Sequence, residues 1–303
     1  MALLEIDGLK VEFFTEEGVV KAVNGVNLKL DRGESLAIVG ESGSGKSVLA
    51  LAIPRLLPVN ARISGRILFN GRDVLRMSEE ELRKLRGRKI ALIPQNPGSS
   101  LNPVLTVGYQ LKEAISLLNG SRRKALKDAV ELLRRLRLPE PERFMKLYPH
   151  ILSGGMKQRV LISLGIAGNP ELIVADEPTK NLDSMVRAEI LELLKEIGRT
   201  TAMLFITHDI QAAKICDRVA VMYAGEVVET GSAKEVLSRP AHPYTTGLVS
   251  SLPENGLIPI PGSSPGMTSL PEGCSFYPRC SRAEESCSKK KPELRRGVRC
   301  FYA

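Results

Sequence analysis

The run Gly40-Glu41-Ser42-Gly43-Ser44-Gly45-Lys46-Ser47 fits the pattern G-x-x-x-x-G-K-[ST], and it follows directly on the apolar stretch Ser35 to Val39, which reads as a strand. Strand, glycine-rich loop and helix must all form in succession for this pattern to work, so it constrains the fold more than any other feature of the chain. Glycines let the backbone wind until several N–H groups face one anion, and the helix opening near Ser47 adds the positive end of its dipole. The loop is therefore built for a polyphosphate. Lys46 is placed to reach β- and γ-phosphates and the Ser47 hydroxyl to ligate a bridging Mg²⁺, so the candidate nucleotide-binding residues run from Gly40 through Val48.

The pattern around the loop sets out the rest. The first thirty residues alternate apolar and polar, as in Leu9-Lys10-Val11-Glu12-Phe13 and again in Val23 to Leu30, which predicts antiparallel strands. A helix is expected from the loop to about Leu57, a strand over Gly65 to Asn70, a capping box at Ser78 to Glu81, and a strand over Lys89 to Pro94. From Pro97 to Gly168 the pattern is helical, broken at Pro103, Asn119-Gly120, the stretch from Pro139 to Pro149, and Gly154-Gly155. Leu172 to Ala175, Ser184 to Ile197, Ala202 to Ile206 and Val219 to Met222 then alternate strand with helix, which favours a parallel sheet covered by helices. Near Ser251 the composition changes, and Pro253, Pro259, Pro261, Pro265 and Pro271 mark a linker. The expected organisation is one domain over 1–250, with a helical subdomain at about 97–168, and an extension over 251–303.

With 303 residues and 43% hydrophobic content the chain buries a sizeable core. Its apolar runs fall short of the roughly 20 residues needed to cross a bilayer. Met1-Ala2-Leu3-Leu4-Glu5 lacks the basic start and apolar centre of a signal peptide, so an intracellular protein is expected. The net charge of +9 suits nucleic acid, an anionic membrane or a nucleotide, and discriminates weakly among them. Much of it lies in the tail from Arg279 onward and in Ser121 to Leu138. In the latter, Leu126, Val130, Leu133 and Leu136 keep helical spacing among Arg122, Arg123, Lys124, Lys127, Arg134 and Arg135, the pattern of a solvated helix face.

A second constellation complements the loop. Leu172-Ile173-Val174-Ala175-Asp176-Glu177 is a buried-strand run ending in two carboxylates, Asp176 suited to hold Mg²⁺ through water and Glu177 to take a proton from attacking water. Leu152-Ser153-Gly154-Gly155-Met156-Lys157-Gln158-Arg159 puts a hydroxyl and two glycines just ahead of a helical run, a second anion-binding helix start.

Taken together these motifs resemble the ATP-binding subunits of ABC transporters. The resemblance implies an α/β P-loop NTPase (ABC-type ATPase) with an antiparallel β subdomain, a helical subdomain insertion and a small metal-binding C-terminal extension. In that family two subunits stack head to tail, so Ser153 and Gly155 would contact the γ-phosphate of ATP held by the partner. Gln95, in Ile93-Pro94-Gln95-Asn96, resembles the residue that couples Mg²⁺ and water to the helical insertion. His208, in Ile206-Thr207-His208-Asp209, resembles the switch histidine that holds the γ-phosphate and orients Glu177. Phe13 would stack on adenine, with Phe14 as its rival, and Asp183 would stand at the dimer seam. Lys180-Asn181 departs from the small residues usual before Leu182-Asp183, and Ile151 replaces a polar residue.

A narrower resemblance, carried by Tyr148-Pro149-His150, Met156, His242-Pro243-Tyr244-Thr245 and the cysteine-bearing tail, is to the oligopeptide/dipeptide (nickel) importer branch. It implies ATP-driven import of a solute, with oligopeptide or dipeptide as the default. The implied partners are a second, non-identical ATPase subunit, two membrane-spanning permease subunits and, indirectly, an external solute-binding protein. The chain would lie peripherally on the cytoplasmic face of the membrane, with no nucleic acid bound; the alternative is a nucleic-acid-associated ABC-type ATPase.

Cys274, Cys280, Cys287 and Cys300 cluster in the tail, while Cys216 stands apart in a predicted helix. Four thiolates suit zinc or a four-iron cluster, but there is neither a tight C-x-x-C pair nor a nearby histidine, and free thiols or disulfides remain open. Resemblance of Gly273-Cys274-Ser275-Phe276-Tyr277-Pro278-Arg279-Cys280 to the tail of the importer branch implies an iron–sulfur (4Fe-4S) cluster on these four cysteines, zinc being the alternative.

Overall fold

The computed structural model describes residues 2–119 and 124–303. Its elements follow in chain order. They begin with β1 (Leu4–Thr15), β2 (Gly18–Leu30), β3 (Ser35–Val39), α1 (Lys46–Ala52), β4 (Ala61–Phe69) and β5 (Arg72–Asp73). Then come α2 (Glu79–Leu85), β6 (Ile90–Ile93), α3 (Pro97–Ser100), α4 (Val107–Asn119), α5 (Ala125–Arg135), α6 (Pro141–Phe144), α7 (Gly154–Ile166), β7 (Leu172–Asp176) and α8 (Ser184–Gly198). The last are β8 (Ala202–Thr207), α9 (Ile210–Ala213), β9 (Arg218–Tyr223), β10 (Glu226–Ser232), α10 (Ala233–Ser238), α11 (Pro243–Ser250) and α12 (Glu285–Lys289). Two compact units result, Met1–Arg76 with Phe205–Ala303, and Met77–Leu204.

In the first unit β2, β1, β4 and β5 form an antiparallel sheet in that order. Val11 is the hinge of its register, opposite Val23 on one side and Ile63 on the other, and Leu4, Ile6, Leu9 and Val11 are buried, so the predicted alternation does become one covered face. All five residues of β3 are buried, and the strand pairs in parallel with β9. An unbroken apolar run of this kind belongs inside a parallel sheet covered on both faces. Ser35 is polar and buried there, and Asp217 satisfies it by accepting from its N–H at 2.8 Å and its hydroxyl at 2.6 Å. That bond holds the chain after α9 in a turn, so Cys216 is not in a helix as expected. The helix after the phosphate loop also stops at Ala52 rather than Leu57, because Pro54 has no N–H to continue it.

In the second unit β6 and β7 pair in parallel, Ile90 with Leu172 and Ile93 with Ala175. The capping box appears as read: Ser78 accepts from the Glu81 N–H, and Glu81 from the Ser78 N–H. Helix α7 is buried on most of its circumference, and its Arg159 donates to the Leu136 carbonyl at 2.8 Å and to Glu189 at 2.5 Å. Of the basic segment, Ser121, Arg122 and Arg123 lie outside the described residues, as does Gly120 of the preceding break. Lys124, Lys127, Arg134 and Arg135 are solvated and Leu133 and Leu136 buried as expected, but Leu126 is exposed, and Ala125 and Ala129 complete the buried face.

Strand β10 was not anticipated, since its Glu226 and Glu229 argue against burial. Both are nonetheless buried, and both are compensated from a distance: Glu229 accepts from the N–H groups of Ala241 and His242, and Glu226 from Ser275 and Lys291. The tail runs along β10, where Thr230 N–H donates to Gly297 O at 2.7 Å and Arg299 N–H to Val228 O at 2.8 Å. His242 caps α11, its Nδ1 accepting from Tyr244 N–H at 3.0 Å, with Pro243 following at the first helical position.

Burial pushes the His242 imidazole down to about 4; a backbone hydrogen bond at Arg299 works against this and the Arg299 charge adds to it, both to a smaller extent. A depressed histidine contributes stability that is complete above its unfolded value of 6.5 and is lost as pH falls toward about 4. Between about pH 7 and about pH 5 the native chain should lose about 2 kcal/mol more unfolding free energy than His242→Asn, as measured by urea denaturation.

Candidate functional site

The phosphate loop is seated in the first unit by two close backbone approaches. Gly40 has φ 154°, and a β-carbon there would lie 2.1 Å from the Met222 carbonyl oxygen. Gly45, at φ 98°, would put one 2.1 Å from the Ala22 carbonyl oxygen. Only glycine fits either place, so the loop between them rests on the end of β9 and on β2. Lys46 is buried and turned back into the loop, where its Nζ donates to the Gly40 and Glu41 carbonyls at 2.8 Å each. Ser44 is buried and Ser47 half-buried, while Ser42 and Gly43 are exposed. A lysine aimed along the loop, a hydroxyl beside it and a backbone without side chains in the way fit a Mg²⁺-bound triphosphate. His208 follows β8 and is exposed; Phe13 is half-buried, and Phe14 is 51% exposed on the neighbouring face.

The second unit carries the other candidates. Asp176 ends β7 and Glu177 follows it, both 7% exposed. Glu177 has φ 48°, a left-handed conformation uncommon for a non-glycine residue and concentrated at functional positions. Gln95 lies half-buried just beyond β6. Ser153 and Asp183 are brought into one neighbourhood. Ser153 caps α7 by accepting from Met156 N–H at 3.3 Å, and Asp183 caps α8 by accepting from Val186 N–H at 3.0 Å. Between them Gly155 abuts Val186, whose Cγ1 would be 2.4 Å from a β-carbon at residue 155.

The sequence reading missed the support of Glu41. Its N–H donates to the Tyr244 hydroxyl at 2.9 Å, and its carboxylate receives Arg279 from the tail. Tyr244 sits in the His-Pro-Tyr-Thr motif that carries the importer resemblance, and no local signal pairs it with a residue two hundred positions earlier.

The iron–sulfur expectation is overturned, and zinc with it. Among the described residues no group of three or more His, Cys, Asp or Glu side chains is arranged to hold a metal ion. Cys274, Cys280, Cys287 and Cys300 are free and line one narrow pocket with His242, Phe276 and Phe301. Burial raises the Cys274 and Cys280 thiols above their ordinary value, which favours the protonated form rather than the thiolate a metal requires. The extension is held by hydrogen bonds such as Cys274 N–H to the Cys287 carbonyl at 2.8 Å and Arg299 N–H to the Val228 carbonyl at 2.8 Å.

Residues 23–180 match the family model described as ABC transporter, and the chain belongs to that family of ATPases. Residues 228–287 match a second model, the oligopeptide/dipeptide transporter C-terminal region. The oligopeptide transport ATP-binding protein OppD of Escherichia coli (strain K12) is 47% identical over 300 residues, covering 96% of this chain and 89% of that protein. OppD of Bacillus subtilis (strain 168) is 45% identical, covering 96% and 85%. Among solved structures, the dimeric ATP-binding cassette MJ0796 bound to ADP and Pi in a post-hydrolysis state is similar with a TM-score of 0.68 at 31% identity, covering 76% of this chain and 98% of that one.

Gly155→Ala should force Val186 aside and destabilise the chain by about 1–3 kcal/mol in urea unfolding, and Val186→Ala in the same chain should restore most of the loss.

Proposed function

We propose that this chain is the ATP-hydrolysing subunit of an importer of oligopeptides or dipeptides, acting peripherally at the cytoplasmic membrane face with permease subunits and an external solute-binding protein. The observation that carries the reading is the match of residues 228–287 to the oligopeptide/dipeptide transporter C-terminal region, outside the generic ATPase portion. OppD relatives over nearly the whole length support it. The nucleic-acid alternative has only the net charge of +9 behind it.

In this reading Lys46 and the N–H groups of the loop hold the β- and γ-phosphates of ATP. Ser47, Asp176 and Gln95 are the residues that would hold Mg²⁺, which when bound offsets the charge of the phosphate oxygens. Glu177 takes the proton of the attacking water, and His208 keeps Glu177 and the γ-phosphate in line. Ser153 and Gly155 contact ATP held by the partner subunit, with Asp183 at the seam and Phe13 against the adenine. Met156 in the signature supports a non-identical partner. ATP-driven closure of the pair moves the permease, and hydrolysis reopens it.

In the transporter assembled with its partners, Glu177→Gln should lower phosphate release by about 10²–10⁴-fold while ATP stays bound. Undiminished turnover would remove Glu177 from the role of base. Uptake of a labelled tripeptide by that assembly, abolished by the same substitution, tests the substrate class.

A further inference from the structure

We propose that Arg279, carried by the C-terminal extension, is a positioning residue for ATP: it neutralises the Glu41 carboxylate of the phosphate loop and holds that carboxylate away from the anion site.

Glu41 is the one acid in the stretch from Gly40 through Val48. A loop that gathers N–H groups around a polyphosphate is a poor place for a carboxylate, because the two negative charges repel. The tail answers it with a fork. Arg279 donates through Nη1 to Glu41 Oε2 at 2.8 Å and through Nη2 to Oε1 at 3.0 Å, a bidentate pair. Its Nε donates to the Pro261 carbonyl at 2.8 Å, and Nη1 also reaches the Ser264 hydroxyl at 3.1 Å and the Tyr223 hydroxyl at 3.4 Å. The guanidinium carbon lies 5.7 Å from the Tyr223 ring centre and 6.0 Å from that of Phe276. At 8% exposure, Arg279 is a built contact and not a surface charge that has drifted into range.

Glu41 is fixed at every polar atom. Its N–H donates to Tyr244, its carbonyl accepts from Lys46 Nζ at 2.8 Å, and Ser264 donates to Oε2 at 2.5 Å beside the arginine. Tail and phosphate-binding lysine therefore meet on one residue. Burial pushes the Glu41 carboxyl up, but hydrogen bonds from Arg279 and Ser264 and the charges of Arg279 and Lys46 outweigh it and leave the group below its ordinary value, ionised at neutral pH.

A mere staple and a charge neutraliser differ in their consequences. If Arg279 only pins the tail, the loss of nucleotide affinity on removing it is insensitive to salt, because no charge faces the phosphates. If Arg279 cancels a misplaced charge, removing that charge cures the defect. The test is the Kd of the full-length chain for adenylyl imidodiphosphate with Mg²⁺, by calorimetry, at low salt and at high salt. Arg279→Ala should weaken binding about tenfold at low salt, less at high salt, and Arg279→Lys no more than about threefold. Arg279→Ala with Glu41→Gln should recover to within about threefold of the native chain. A change under about twofold for Arg279→Ala at low salt, or a double variant as weak as the single one, overturns the proposal. If Arg279→Ala does not fold, Arg279→Gln, which is shorter and uncharged but keeps an amide N–H donor, is read in its place by the same limits.

Discussion

The contact on which the most depends is the one between two glycine backbones and the carbonyls beneath them, Gly40 on Met222 and Gly45 on Ala22. Because a methyl group fits at neither place, the phosphate loop takes its shape from the end of β9 and from β2 rather than from its own side chains. The position of β9 is in turn set by its pairing with β3 on one side and β10 on the other. Tyr223, next after Met222, meets Tyr244 at 4.5 Å and Phe276 at 5.2 Å between ring centres, so the aromatic cluster under the tail stands on the same strand end that seats the loop.

The second unit uses a comparable economy. Ser153 and Asp183 close helix N-termini with almost the same backbone angles, φ −64° and ψ 163° in each case, and each cap contributes about 1 kcal/mol. Residues proposed to face nucleotide at the seam thus already have local work. This explains why the surrounding positions are tight, as Gly155 against Val186 shows.

What could be read from the chain alone was whatever is local. The phosphate loop, the carboxylate-ended strand at Asp176-Glu177 and the capping box at Ser78 depend on residues a few positions apart, and spacing encodes them. The antiparallel strands β1 and β2 were legible through alternation, and β3 and β7 through uninterrupted apolar runs. What escaped depends on partners far along the chain. Strand β10 is hidden by acids whose compensation comes from Ser275, Lys291 and His242, and the Tyr244 and Arg279 supports of Glu41 lie some two hundred residues away. The cysteines misled for the opposite reason: four of one rare residue in a short tail look like a ligand set, while burial raises two of them as ordinary thiols.

The pairing of residues 297–299 with β10 has a consequence for the life of the protein outside its assembly. Antiparallel pairing at Glu229 with Val298 occupies N–H and C=O groups along a strand end that would otherwise lie open. Open strand borders recruit neighbouring chains and seed insoluble aggregates. Residues 297–299 therefore act as a selvedge, finishing the border of β10 so that its backbone groups are not offered to other molecules.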